Sequence, residues 1–166
     1  LIVTCGGMSV GEEDHVRPAV EAEGELDLWQ VAIKPGKPLA HGRVRNGAAP
    51  GGFAHFIGLP GNPVSSFVTF LLFVRPFVLA LQGAADVTPP RLRMTAGFDW
   101  PRADRRREFL RVSVDRESGE LRLFRHQGSA VLTSTVHGDG LVDNPPNQPI
   151  RRGDVVRYLP FSELLG

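Results

Sequence analysis

The chain has 166 residues, 42% hydrophobic and 22% charged, with 19 basic and 18 acidic side chains and a formal net charge of +1. That composition is ordinary for a globular protein and sufficient for one domain or two small ones. The balanced charge gives no bulk attraction for nucleic acid or an anionic membrane, and the single cysteine, Cys5, excludes an intrachain disulfide framework and fits a reducing, cytoplasmic setting.

Residues 1–4 read as a buried strand running into "CGGMSVG". This opening has neither a Met nor the basic flank and cleavage site of a signal peptide, so the chain is expected to be the C-terminal part of something longer. Gly6, Gly7 and Gly11 precede a short helix over 14–22, on which Val16, Ala19 and Val20 share a face and after which Gly24 serves as the stop. Such a loop can bring backbone N–H groups to an anion, helped by the partial charge of the helix start. A tight strand-to-helix turn would use the same glycines. The spacing matches neither a Walker loop nor a dinucleotide fingerprint. Asp14 is either an ordinary cap or, because a carboxylate beside a bound anion repels it, a metal or acid/base group. Cys5 is expected to be a buried strand-end residue, not a nucleophile; His15 is the one nearby histidine and no triad-like spacing accompanies it.

"LDLWQVAI" (26–33) alternates as one half-buried strand does, "KPGKP" (34–38) is a turn, and "LAHGRV" and "FAHFIGL" are further strands. Lys34 and Lys37 are the only lysines among the 19 basic residues. A lysine is a compact point charge where arginine is a planar fork. Two ammonium groups on one proline-stiffened turn repel, and a small dianion between them would remove that cost. A solvated hairpin turn is the plainer alternative.

In "IGLPGNPVSSF" (57–67), Asn62 suits an N-cap and Pro63 the first helical position. Pro60, Gly61 and Ser65 go beyond what a helix start requires. Gly61 is expected to hold a backbone conformation that other residues resist. The helix from Pro63 runs to near Gly83 and is apolar nearly all round, with Arg75 and Pro76 interrupting it. It is expected to be buried on more than one side and not to span a membrane. Strands alternating with helices make this part an α/β layer with some parallel pairing.

"GAADVTPPR" (83–91) reads as a linker. Beyond it, "REFLRVSV" (107–114) places Glu108, Leu110, Val112 and Val114 on one face and Arg107, Phe109, Arg111 and Ser113 on the other. "GELRLFRH", "GLVDNP" and "GDVVRYLP" follow between turn residues, as in a small all-β domain or partial barrel. The expected division is therefore 1–87 and 88–166. The arginines of "RADRRREFLR" (Arg102, Arg105, Arg106, Arg107, Arg111) are expected on a solvated loop and strand edge, without the aromatic interleaving of a nucleic-acid module.

"GGMSVGEEDH", "WQVAIKPGKPLAHGRV" and "GLPGNPVSSFVTFLLFVRPFV", in that order, with the later "RREFLRV" and "HQGS", closely resemble the molybdopterin molybdenumtransferase family (MoeA and the gephyrin and plant Cnx E domains). The resemblance covers nearly the whole chain. It implies the C-terminal part of a three-layer α/β molybdopterin-binding (MoCF-like) domain followed by a small β-barrel-like C-terminal domain. It implies insertion of molybdenum from molybdate into adenylylated molybdopterin with release of AMP, a divalent cation such as Mg2+, and a cytosolic homodimer. It places Lys34 and Lys37 on the family's molybdate-binding pair, Arg106 and Ser129 on an arginine and serine that complete the oxyanion site, and Asp14 on the essential aspartate with a metal or hydrolytic role. Gly6, Gly7, Ser9, Gly11, Pro60, Gly61, Asn62, Pro63 and Ser65 would line the pterin-phosphate and molybdate cleft. The family's two N-terminal domains and the early part of the α/β domain have no counterpart here, so the chain alone is expected to be inactive. "HGDGL" (137–141) departs from the family pattern. A non-catalytic molybdopterin-binding or scaffolding module is the alternative.

Overall fold

The computed structural model describes residues 1–7, 15–48 and 51–165. The first sheet runs β1-β5-β4-β2, with β1 (Ile2–Cys5) parallel to β5 (Phe53–Leu59), and β4 (Pro38–Arg45) antiparallel to both β5 and β2 (Gly24–Gln30). Strand alternation sends Phe56 and Ala40 to one face, where Val20 of α1 (Val16–Glu23) covers them. Leu39, Ile57 and Leu59 point the other way, toward Val74 of the long helix.

Two expectations change here. The strand at residues 1–4 is not buried: among the described residues it is the outer strand of its sheet, paired only to β5, and Leu1, Ile2 and Val3 are exposed. Cys5 at its end is exposed for the same reason. The helix does stop at Gly24, as expected. The Gly24 φ of 178° is extended backbone opening β2, and a Cβ there would meet the Arg43 carbonyl oxygen at 1.8 Å, so glycine permits close strand approach.

The stretch 26–33 is likewise not one strand. β2 ends at Gln30, and β3 (Ile33–Lys34) pairs in parallel with β7 (Arg107–Val114) in the second sheet. Val31 N–H donates to the Lys37 carbonyl at 2.9 Å, closing the turn that re-aims the chain. Ile33 is thereby buried beside Phe109 and Val68. The periodicity of a strand gives no sign of a change of sheet.

The second sheet runs β3-β7-β9-β10-β6, with β8 (Leu121–Leu123) also on β7; β6 is Leu92–Thr95, β9 Gly140–Asn144 and β10 Val155–Pro160. β7 divides as its alternation requires: Leu110 and Val112 pack with Val142, Tyr158 and Ile150, whereas Phe109 packs with Leu141, Leu159 and the long helix. Two short helices, α4 (Thr133–Val136) and α5 (Phe161–Leu165), complete this half. "HGDGL" forms a knot of bonds around Asp139, whose carbonyl accepts from Tyr158 Oη and Phe161 N–H at 2.8 Å each.

Between the sheets runs one helical stretch: α2 (Pro63–Thr69), a π-helical turn (Phe70–Val74) and α3 (Arg75–Leu81). Pro76 accounts for the π turn. It lacks an N–H and would crowd the carbonyl four residues back, and the widened turn, with Arg75 N–H on the Phe70 carbonyl, accommodates it. Val64, Val68 and Leu71 meet the second sheet, Val74 the first. This explains the nearly uniform apolarity of the helix. By length and composition alone it is also the one described helix that could cross a membrane.

Candidate oxyanion site

The loops that follow two parallel strands meet at their carboxyl ends, the usual place for a ligand in an open α/β sheet. β1 leads into Gly6 and Gly7, with φ of 85° and 75°, conformations that favour glycine. Gly6 N–H donates to the Leu59 carbonyl at 3.0 Å, tying this loop to the end of β5. β5 leads into Pro60, Gly61 and Asn62 and then α2. Gly61 lies against Gly6, the Cβ it lacks falling 3.6 Å from the Gly6 Cα.

Residues from three further stretches complete a recess of about 620 Å³ lined by Lys34, Gly36, Lys37, Pro60, Gly61, Asn62, Ser65, Arg106, Gln127, Gly128 and Ser129, among others. Gly36 makes the lysine turn possible. Its φ is 108°, and a Cβ there would strike the Thr69 methyl at 2.7 Å. The 127–129 loop docks on the helix start, where Val64 N–H donates to the Ser129 carbonyl at 3.0 Å.

Buried Arg111 holds that loop from behind. Its guanidinium donates to the Gly128 carbonyl at 2.9 Å, the Phe109 carbonyl at 3.2 Å and Ser134 Oγ at 3.3 Å. With no carboxylate beside it among the described residues, burial pulls its pKa down to about 10. Gln127 is clamped as firmly: its amide accepts from Arg111 N–H and donates to the Arg111 carbonyl, both at 2.9 Å.

The cations of the recess differ in their partners. Lys34 Nζ lies 3.3 Å from both Asp104 Oδ2 and Glu108 Oε1. Glu108, 1% exposed, also accepts from Trp100 Nε1 at 2.8 Å and Asp104 N–H at 3.0 Å. Arg106 makes a two-pronged pair with Asp104, Nε–Oδ1 at 3.1 Å and Nη2–Oδ2 at 3.0 Å. Bonds from Arg106, with a smaller one from Lys34, hold the Asp104 carboxyl well below the usual carboxylate range, and Asp104 in turn raises Arg106. Lys37 has no carboxylate within ion-pair distance among the described residues.

Of the residues singled out from sequence, Lys34, Lys37, Pro60, Gly61, Asn62, Ser65, Arg106 and Ser129 share this recess, Gly6 borders it through Gly61, and Gly7 follows Gly6 outside the lining. Pro63 starts the helix but is not in the lining. Ser9, Gly11 and Asp14 lie outside the described residues.

Several of these residues sit otherwise than their local sequence suggests. Asn62 makes no side-chain cap bond; its carbonyl accepts from Ser66 N–H at 2.9 Å, and its side chain is left for the recess. Gly61 is not among the glycines with positive φ, so it is not required by strain. The two lysines are not an unpaired couple, because Lys34 is already neutralised. The arginine run is only in part a solvated edge: Arg102 and Arg105 are exposed as expected, but Arg106 faces the recess, Arg107 pairs with buried Asp143, and Arg111 is buried. Asp104, Glu108, Arg111 and Gln127 escaped sequence reading. Their alternation with the arginines was the available signal, but nothing in it says which charges fold inward.

Family models match the chain twice: "Probable molybdopterin binding domain" over residues 1–80 and "MoeA C-terminal region (domain IV)" over residues 93–161. The molybdopterin molybdenumtransferase of Haemophilus influenzae is 36% identical over all of this chain and 41% of its own length. The molybdenum cofactor synthesis protein cinnamon of Drosophila melanogaster is 34% identical over 87% of this chain and 24% of its own. The solved molybdopterin biosynthesis MoeA protein of Pyrococcus horikoshii aligns over 97% of this chain and 37% of its own, with a TM-score of 0.73 and 25% identity. The chain thus spans less than half the length of these relatives and carries an MoCF-type molybdopterin-binding domain segment joined to a MoeA C-terminal region.

Proposed function

We propose that this chain supplies the oxyanion half of a molybdopterin molybdenumtransferase, which inserts molybdenum from molybdate into adenylylated molybdopterin and releases AMP. The observation that carries the reading is the convergence of Lys34, Lys37, Arg106, Asn62, Ser65 and Ser129 on one recess at the carboxyl ends of parallel strands. Molybdate is a tetrahedral dianion. Positioned cations and hydroxyls at a helix start suit it, and their fixed geometry spares reorganisation when charge shifts from molybdate oxygen to the leaving phosphate. Lys37 and Arg106 would hold the oxyanion electrostatically, Ser65 and Ser129 would orient it, and Gly6 with Gly7 would let phosphate approach backbone.

We also infer that Mg2+ and the catalytic role belong to Asp14. Among the described residues no cluster of His, Cys, Asp or Glu could hold a metal, and Asp104 and Glu108 are taken by cations. A division near 87/88, a cytoplasmic location and a homodimer belong to the same proposal, as does the absence of nucleic-acid and membrane partners. Self-association is supported by the exposed apolar side chains Phe70 and Leu81 on the long helix.

The test is molybdenum insertion by a longer protein that carries this chain. Asp14→Ala should abolish insertion while pterin binding persists, and the 166-residue chain alone should be inactive. Normal insertion by Asp14→Ala would favour a non-catalytic binding module, and insertion by the isolated chain would contradict the partial-site reading.

A further inference from the structure

We propose that Asp104 is a built-in counter-ion that sets the affinity of the recess for its oxyanion, keeping binding weak enough to reverse. This rests on the oxyanion reading of the site. Two of the three cations that line the recess converge on this one carboxylate: Lys34 Nζ at 3.3 Å, and Arg106 through Nε at 3.1 Å and Nη2 at 3.0 Å. The carboxylate is not a mobile surface group. Its own N–H is bonded to Glu108 Oε2 at 3.0 Å, its carbonyl accepts from Asn147 N–H at 2.9 Å, and Arg106 N–H donates to Oδ1 at 3.0 Å. It therefore occupies the cationic focus before any ligand arrives.

Counting charges, Lys34, Lys37 and Arg106 face Asp104 and Glu108, which leaves the recess at net +1. An arriving dianion has to share Arg106 and Lys34 with a carboxylate that repels it. Glu108 cannot be the adjustable element, because it is buried and bonded to Trp100 and to the Asp104 N–H as well as to Lys34. Asp104 is the group whose charge can be removed without orphaning a buried partner, since Arg106 and Lys34 both reach solvent. A unit charge about 6 Å from a dianion in near-aqueous surroundings changes its binding constant about tenfold.

The experiment titrates molybdate, with sulfate as a second tetrahedral dianion, into the full chain and into Asp104→Asn by calorimetry at low salt. Asp104→Ser serves as a second charge-removing variant, and thermal denaturation checks folding. The expected result is about tenfold tighter molybdate binding by both variants, shrinking to about threefold or less near 0.5 M salt. Unchanged or weaker binding by the variants, with the unaltered chain binding normally, overturns the counter-ion role and makes Asp104 a clamp for Arg106. No binding by any of the three proteins overturns the oxyanion reading itself, and this proposal with it.

Discussion

Replacing Arg111 with Leu tests whether the recess depends on a buried charge that never touches the ligand. The side chain is 1% exposed and donates to Gly128, Phe109 and Ser134. Truncation leaves about two buried acceptors unpaired, at roughly 1–3 kcal/mol each. Removing an unpaired buried guanidinium offsets part of this. The net cost should be about 2–4 kcal/mol. Unfolding entropy of about 2.1 cal/mol/K per residue gives about 350 cal/mol/K for 166 residues, so each kcal/mol moves Tm by about 3 °C. Scanning calorimetry should show Tm falling by about 6–12 °C. At a temperature where the variant is folded, molybdate affinity should fall several-fold, because the 127–129 loop loses its anchor. Arg111→Lys should recover part of both. A Tm drop under 2 °C with unchanged affinity would show that Arg111 does not anchor the recess.

Lys37→Ala should weaken molybdate binding about tenfold with little change in Tm, whereas Lys34→Ala should also cost about 1–2 kcal/mol because Glu108 loses a partner; equal Tm losses in the two variants would contradict this. Gly36→Ala should destabilise by about 1–3 kcal/mol and weaken anion binding, since the positive φ and the Thr69 methyl both resist a Cβ; wild-type stability would count against the turn geometry. Burial, with His41 and Arg43 nearby, lowers the pKa of His55 from 6.5. Its folded state binds fewer protons than its unfolded state below that value, so stability is full above pH 6.5 and declines as pH falls toward the lowered pKa. Urea denaturation at pH 7.5 and 5.5 should show this loss, and His55→Gln should reduce it. Val68→Ala should cost about 2–3 kcal/mol and lower the stability of both halves in one transition, because Val68 sits in the core that joins helix and second sheet; two separated transitions would argue against the shared core.

The legible part of this protein was its turn chemistry and periodicity. "IKPGKP" and "LPGNPVSS" were legible because proline and glycine are placed where backbone geometry requires them. The faces of β7 were legible because alternation is a local property. Sheet membership was not, since Ile33 and Lys34 pair with Arg107 and Glu108, far along the chain. Nor was the exposure of β1, which depends on what lies beside it and not on its own apolarity. Charge pairing was hidden for a similar reason. Arg106, Arg107 and Arg111 look alike in sequence, and only their tertiary neighbours, Asp104, Asp143 and the Gly128 carbonyl, separate a recess cation from two structural ones.

One recess, built from both halves of the chain, is proposed to hold a tetrahedral oxyanion. A crystal of the chain soaked in tungstate, a heavier analogue of molybdate, tests it through anomalous scattering. The expected result is an anomalous peak within ion-pair distance of Lys37 and Arg106 and hydrogen-bond distance of Ser129, lost in Lys37→Ala. Tungstate bound only elsewhere, or a peak in the recess that survives Lys37→Ala and Arg106→Ala together, would contradict it.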